Sequence, residues 1–108
     1  MNSKIVFVNV KLKEDFDNLE KEDPIMKQEI LMAFREIQKN AFVGTELKKH
    51  QLPREYEKKL GIHNVWKYEM KNSWKIIYSV ENRGTIIIAI ILEWNDYKNY
   101  ENMIRKHY

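Results

Sequence analysis

Cysteine is absent from this chain, which excludes disulfides, thiolate metal sites and cysteine nucleophiles. The three glycines, Gly44, Gly61 and Gly84, are too few and too scattered to build a phosphate-cradling glycine loop. No apolar run reaches membrane-spanning length, and the start MNSKIVFVNVKLKEDF holds only a strand-length apolar stretch. Neither a membrane span nor a signal peptide is expected, and the cytoplasm is the expected location. The histidines His50, His63 and His107 lie far apart without metal-ligand spacing, so no metal and no other cofactor is expected. Ser73 and Ser79 have no recognisable base, which removes serine nucleophilic catalysis. Repeats, linkers and low-complexity tracts are also missing.

What is present describes one domain over residues 1–108, long enough to bury roughly two-thirds of the unfolded chain's surface. The formal net charge is only +3, yet its distribution is uneven. Residues 14–23 hold six acids (Glu14, Asp15, Asp17, Glu20, Glu22, Asp23) against Lys21. Residues 47–75 hold eight bases (Lys48, Lys49, Arg54, Lys58, Lys59, Lys67, Lys71, Lys75) against Glu55, Glu57 and Glu69. A local positive potential of this kind suits an anionic partner. The plain alternative is that lysine is simply the commonest surface residue of the chain.

Lys4–Val10 reads as a mostly buried strand. Residues 12–22 set Leu12, Phe16 and Leu19 at helical spacing on an acidic segment. Asp23-Pro24 supplies a helix cap followed by proline at the first helical position. The helix it starts runs to about Phe42, with Met26, Ile30, Ala33, Phe34, Ile37 and Ala41 as its buried stripe, and Gly44 following its end. Residues 44–64 are the least regular, with a helical turn allowed at Arg54–Leu60. Strands follow at 65–71 and 75–81. Asn82-Arg83-Gly84 then turns the chain, Gly84 supplying positive φ. Thr85–Leu92 is apolar on both faces and belongs in the sheet centre. Asp96 caps a last helix over 97–106 that sets Tyr97, Tyr100 and Ile104 on one face. The order is β-α-α-β-β-β-α, an α+β fold: an antiparallel-rich sheet, two N-terminal helices on one face, and a C-terminal helix near the sheet end.

The first hairpin predicts its own register. In residues 66–71, Trp66, Tyr68 and Met70 alternate with Lys67, Glu69 and Lys71; in residues 75–80, Ile76, Tyr78 and Val80 alternate with Lys75, Ile77 and Ser79. A two-residue turn at Asn72-Ser73 would mix lysines with core residues on both faces. A three-residue loop, Asn72-Ser73-Trp74, pairs Lys71 with Lys75 and Tyr68 with Tyr78, and it segregates the apolar set from Lys67, Glu69, Lys71, Lys75 and Ser79. Asn-Ser also lacks the glycine of favoured two-residue turns. The expected result is one exposed cationic sheet face.

These residues resemble the RelE/ParE-like toxins of toxin–antitoxin pairs. Asn64-Val65-Trp66-Lys67-Tyr68 is similar to the family's "lWr" strand. Trp74–Val80 is similar to its "yRviYsv" strand, and Ile91–Tyr100 to its closing "il.i.dHkeY". With Gly44-Thr45-Glu46-Leu47-Lys48 and the N-terminal elements, the resemblance covers nearly the whole chain. It implies a small endoribonuclease that cleaves mRNA, in the ribosome, without a metal, and that a cognate antitoxin protein neutralises. In that chemistry a 2′-hydroxyl attacks the adjacent phosphate while a base takes its proton and cations stabilise the phosphate charge. By this resemblance Lys67 holds the phosphate or serves as base, and Lys75 stands where the family usually has arginine. Tyr100 donates or relays a proton, and Glu46 matches a carboxylate base of the YoeB-like branch. Lys48, Lys49, Arg54 and Lys71 are the expected RNA contacts. Two departures weigh against activity: Tyr97 replaces a common histidine, and Glu69 stands where RelE carries a second basic residue. The alternatives are a non-catalytic, toxin-like binder, either directed at DNA gyrase as ParE-like members are, or a degenerate member that binds only its antitoxin. The lysines also fit a plain solvated sheet face.

Overall fold

A computed structural model describes residues 2–105. The first strand, β1 (Ser3–Phe7), leads into α1 (Val10–Glu22), which starts at Val10 because the Asn9 side chain accepts the Leu12 N–H at 2.8 Å. Asp23 caps α2 (Pro24–Lys39) in the same way, accepting the Met26 N–H at 3.1 Å. The helix stops at Lys39 rather than near Phe42. Asn40 takes an extended conformation and its side chain accepts the Phe42 N–H, starting a 3₁₀ turn at Ala41–Val43.

Gly44, expected to follow the helix end, instead closes the 3₁₀ turn with φ −75°, outside the left-handed region. Its reason is close approach. A Cβ at this position would lie 2.4 Å from the Lys67 carbonyl oxygen and 2.6 Å from the Tyr78 hydroxyl. That approach forms a short edge strand the sequence pattern did not announce, β2 (Thr45–Glu46). After it come α3 (Arg54–Leu60), β3 (Trp66–Glu69), β4 (Lys75–Arg83), β5 (Ile86–Asn95) and α4 (Tyr97–Arg105). The expected helix end at residue 106 and His107 lie outside the described residues.

The five strands run in the order β1-β5-β4-β3-β2, with β1 parallel to β5 and every other pair antiparallel. The apolar strand β5 is therefore flanked on both sides. Helices α1 and α2 cover one face through Phe16, Ile30, Phe34 and Ile37, packed on Ile76, Tyr78, Ala89 and Ile91. The other face is covered as well. Tyr100 and Met103 of α4, with Leu47 and Ile62 from the 47–62 segment, close over Val65, Ile77 and Leu92. The expected exposed face is thus a second core with a polar margin.

The three-residue hairpin loop is present, two positions away in pairing. Trp66 faces Tyr78, Tyr68 faces Ile76, and Glu69 faces Lys75. Met70 donates to the Trp74 carbonyl at 2.8 Å, so the loop is Lys71-Asn72-Ser73. Lys71 therefore sits in the turn and does not pair with Lys75, nor does Tyr68 pair with Tyr78. A shift of two keeps every side chain of the paired strands on its expected face, which is why the segregation survives the correction except at Lys71. Ser73 takes φ 71°, and the Asn72 side chain accepts the Trp74 N–H at 3.0 Å. This is a turn closed by one left-handed residue, with serine where glycine is the usual choice. The second turn does use glycine: Gly84 has φ 67° between the paired Arg83 and Ile86.

Strand β5 carries one extra residue. Ile77 pairs with Glu93 while the next residue, Tyr78, pairs with Ile91, leaving Leu92 as a bulge. Strict alternation from Ile87, Ala89 and Ile91 would send Glu93 and Asn95 into the helical core. The bulge instead turns them onto the face of α4, beside Ile77 and Lys75.

Candidate functional site

Where that second face meets the N-terminus of α4, three charged side chains and two tyrosines converge. Lys67 faces Ile77, and Lys75 lies two residues before Ile77 on β4, so both lysines project on the same side. The Lys67 ammonium lies 5.1 Å, and the Lys75 ammonium 5.3 Å, from the centroid of the Tyr100 ring. Lys75 also stands 5.6 Å from the ring of Tyr97. Aromatic faces hold cations electrostatically, so α4 clamps both ammonium groups from above. The expected partnership of Lys67, Lys75 and Tyr100 is therefore a spatial one.

Glu69 completes the group. A single oxygen, Glu69 Oε1, lies 3.7 Å from Lys67 Nζ and 3.9 Å from Lys75 Nζ. The two cations thus share one anionic point, and the glutamate side chain is 63% exposed while that of Lys75 is 9% exposed. The solvated member of the cluster is the anion. The Tyr100 side chain is buried, and burial pushes its phenol up to about 12, with Glu101 and Glu69 adding to the shift. At neutral pH this group is a proton donor and not a base.

The remaining expected residues lie elsewhere. Glu46 faces Trp66 across β2 and β3, so it projects on the opposite face from Lys67. Lys71, in the hairpin turn, borders a small depression with Glu29 and Met32 of α2. Lys49 and Arg54 do come together: with His50 and His63 they line a groove of about 390 Å³ beside α3. Lys48 precedes that groove, its N–H donating to the Gln51 side chain at 3.0 Å. Tyr97 is 65% exposed and does not join Tyr100 in the core.

Sequence reasoning passed over Asn64 as a working residue. Its side-chain oxygen accepts the Val80 N–H at 2.9 Å and the Trp66 indole at 3.1 Å, while its amide donates to the Val80 carbonyl at 2.9 Å. It extends β3's pairing by two positions, from Trp66–Tyr78 to Asn64–Val80, with a side chain instead of backbone. The only signal for it was a polar residue directly before a buried strand.

No protein-family model matches the chain, and no curated protein matches it. Among solved structures, a YoeB/ParE toxin from Agrobacterium tumefaciens superposes with a TM-score of 0.59 at 15% identity. The alignment covers 87% of this chain and 98% of that one. At such identity the likeness speaks for the backbone, and it does so over nearly the whole length. This chain shares the backbone fold of that toxin.

Proposed function

We propose that this protein is a toxin-like endoribonuclease that cleaves mRNA on the ribosome without a metal and is neutralised by an antitoxin. One observation carries the reading: Glu69 Oε1 sits within ion-pair reach of both Lys67 and Lys75. Two ammonium groups aimed at one oxygen are the arrangement that stabilises charge building on a phosphodiester oxygen. An arriving phosphate takes that oxygen's place, and the exposed glutamate swings aside with its carboxylate still next to the reacting group.

In this reading Lys67 and Lys75 hold the phosphate. Glu69 replaces Glu46 as the base that takes the 2′-hydroxyl proton, because Glu46 faces away. The protonated phenol of Tyr100 supplies a proton to the departing 5′-oxygen. The phosphorus gains a bond to the 2′-oxygen and loses its bond to the 5′-oxygen, leaving a 2′,3′-cyclic phosphate and a free 5′-hydroxyl. Lys49 and Arg54 in their groove, with Lys48 near it and Lys71 at the hairpin tip, give further contacts to RNA phosphates. The test is cleavage of mRNA on translating ribosomes, comparing an all-ribose message with one carrying a 2′-deoxynucleotide at the mapped cut site. Cleavage of the ribose substrate alone supports the proposal; cleavage of both, or of neither, contradicts it.

The competing reading is a toxin-like binder without catalysis, directed at gyrase or holding only its antitoxin. The same glutamate favours it, since Glu69 lowers the net charge of the lysine cluster. Growth inhibition without RNA cleavage is its expected signature.

A further inference from the structure

Beside the lysine cluster, on the same sheet face, lies a cavity of about 560 Å³ between α3, β5 and α4. Its chemistry differs from that of its neighbour. Among the described residues no lysine or arginine lines it; its polar groups are the carboxylates of Glu55 and Glu93, the amides of Asn95, Asn99 and Asn102, and the Tyr56 hydroxyl. Apolar wall comes from proline and methionine side chains. A cavity so lined repels phosphate but suits the edge of a flat, hydrogen-bonding ring.

We propose that this cavity receives a nucleobase, guanine, from the RNA whose phosphate lies at Lys67 and Lys75. The inference rests on the endoribonuclease reading for its RNA, and on the β5 bulge for its geometry. That bulge directs Glu93 and Asn95 into the cavity, and Asn95 faces Lys75 directly across β4 and β5. Base pocket and phosphate site are therefore cross-strand neighbours. Their opposite electrostatics fix the direction of a bound nucleotide, with the base over the carboxylate and the phosphate over the ammonium groups.

Guanine is the base that fits. Its N1–H and N2–H₂ groups are adjacent donors, matched by the two oxygens of one carboxylate. The Glu93 carboxylate is already held in place for such a pairing. Asn95 Nδ2 donates to its Oε1 at 2.9 Å, while the neighbouring Tyr56 phenol donates to the Met103 sulfur at 3.6 Å. The Asn95 contact leaves acceptor positions unfilled on a carboxylate, which offers about four. Burial and the Glu93 charge hold that phenol protonated, above its usual range. Asn99 and Asn102, exposed along α4, present amide donors for the guanine O6 and N7 acceptors. Adenine and cytosine each offer a carboxylate one exocyclic amine, and uracil one ring N–H.

The experiment titrates the intact protein separately with GMP, AMP, CMP and UMP, following side-chain amide resonances by NMR. It then maps mRNA cut sites for wild type, Glu93→Gln and Asn99→Ala. The expected result is that GMP binds about tenfold or more tightly than the other three, shifting the Asn95 and Asn99 amides. Glu93→Gln brings the four ligands within about twofold of one another, and guanine enrichment among the remaining cut sites disappears. Equal binding of all four nucleotides by the wild type overturns the inference, as does a guanine preference that survives both substitutions. Should Glu93→Gln unfold, Asn99→Ala at an exposed helix position still decides the matter. GMP binding without any cleavage would refute the endoribonuclease reading and leave the pocket standing; cleavage without base preference would do the reverse.

Discussion

Tyr78 shows how much one hydroxyl can hold. Its side chain is fully buried, it donates to the Ala41 carbonyl at 2.8 Å, and it accepts the Gly44 N–H at 3.1 Å. Tyr78→Phe strands both backbone groups, so urea denaturation should show a loss of about 1–3 kcal/mol. The same burial pushes the Tyr78 phenol up to about 12, as it does Tyr100. A phenol raised in the folded state above its unfolded value of about 10 contributes stability that is complete below that pH. The contribution is lost as pH rises toward 12. The urea midpoint should therefore fall across that alkaline window, and the fall should be shallower in Tyr78→Phe and in Tyr100→Phe. The two glutamates separate by a different test. Glu69→Gln frees both ammonium groups, so RNA should bind more tightly with a steeper salt dependence. Cleavage should nevertheless drop by roughly 10²–10⁴, the scale of a lost general base. Glu46→Gln should change neither. The family pattern pointed to Glu46, and only the strand register reveals that Glu46 and Lys67 face opposite ways.

At the scale of elements, alternation was enough to read the hairpin's faces, and not enough to read its turn. Registers two residues apart give the same segregation, so the pattern could not distinguish a loop at 71–73 from one at 72–74. What decides is local: Asn72 binds the Trp74 N–H and Ser73 tolerates positive φ. The β5 bulge was equally hidden, because Ile86–Leu92 is apolar on both faces and carries no phase. Helix starts were legible where a capping Asp precedes them, as at Asp23 and Asp96. The Asn9 cap was missed, and the strand expected to run to Val10 ends at Phe7. The missed strand β2 has only two residues and no alternation to read. Asn64 belongs to this scale too, since its amide prolongs the β3–β4 pairing. Asn64→Ala should lower hydrogen-exchange protection of the Val80 amide by at least tenfold and cost about 2–3 kcal/mol, because a backbone N–H, a carbonyl and an indole lose partners together.

Across the whole molecule, the layering accounts for both the success and the error of the sequence reading. Two N-terminal helices on one sheet face were legible from the stripes of Phe16, Ile30, Phe34 and Ile37. The other face looked cationic and open because Lys67, Lys75 and Ser79 alternate there; α4 and the 47–62 segment cover much of it. Local periodicity cannot say which distant segment folds back over a strand. Closure matters to the chemistry, since ammonium groups clamped under tyrosine rings and shielded from water stabilise phosphate charge more strongly than solvated ones. The central claim is that this clamped pair performs cleavage. Its most direct test measures mRNA cleavage on translating ribosomes for wild type, Lys75→Ala and Lys75→Arg. Cleavage by the wild type, a loss of about 2–4 kcal/mol of transition-state stabilisation in Lys75→Ala, and substantial recovery in Lys75→Arg are the predicted results. Cleavage undiminished in folded Lys75→Ala, or absent from the wild type, would contradict the account.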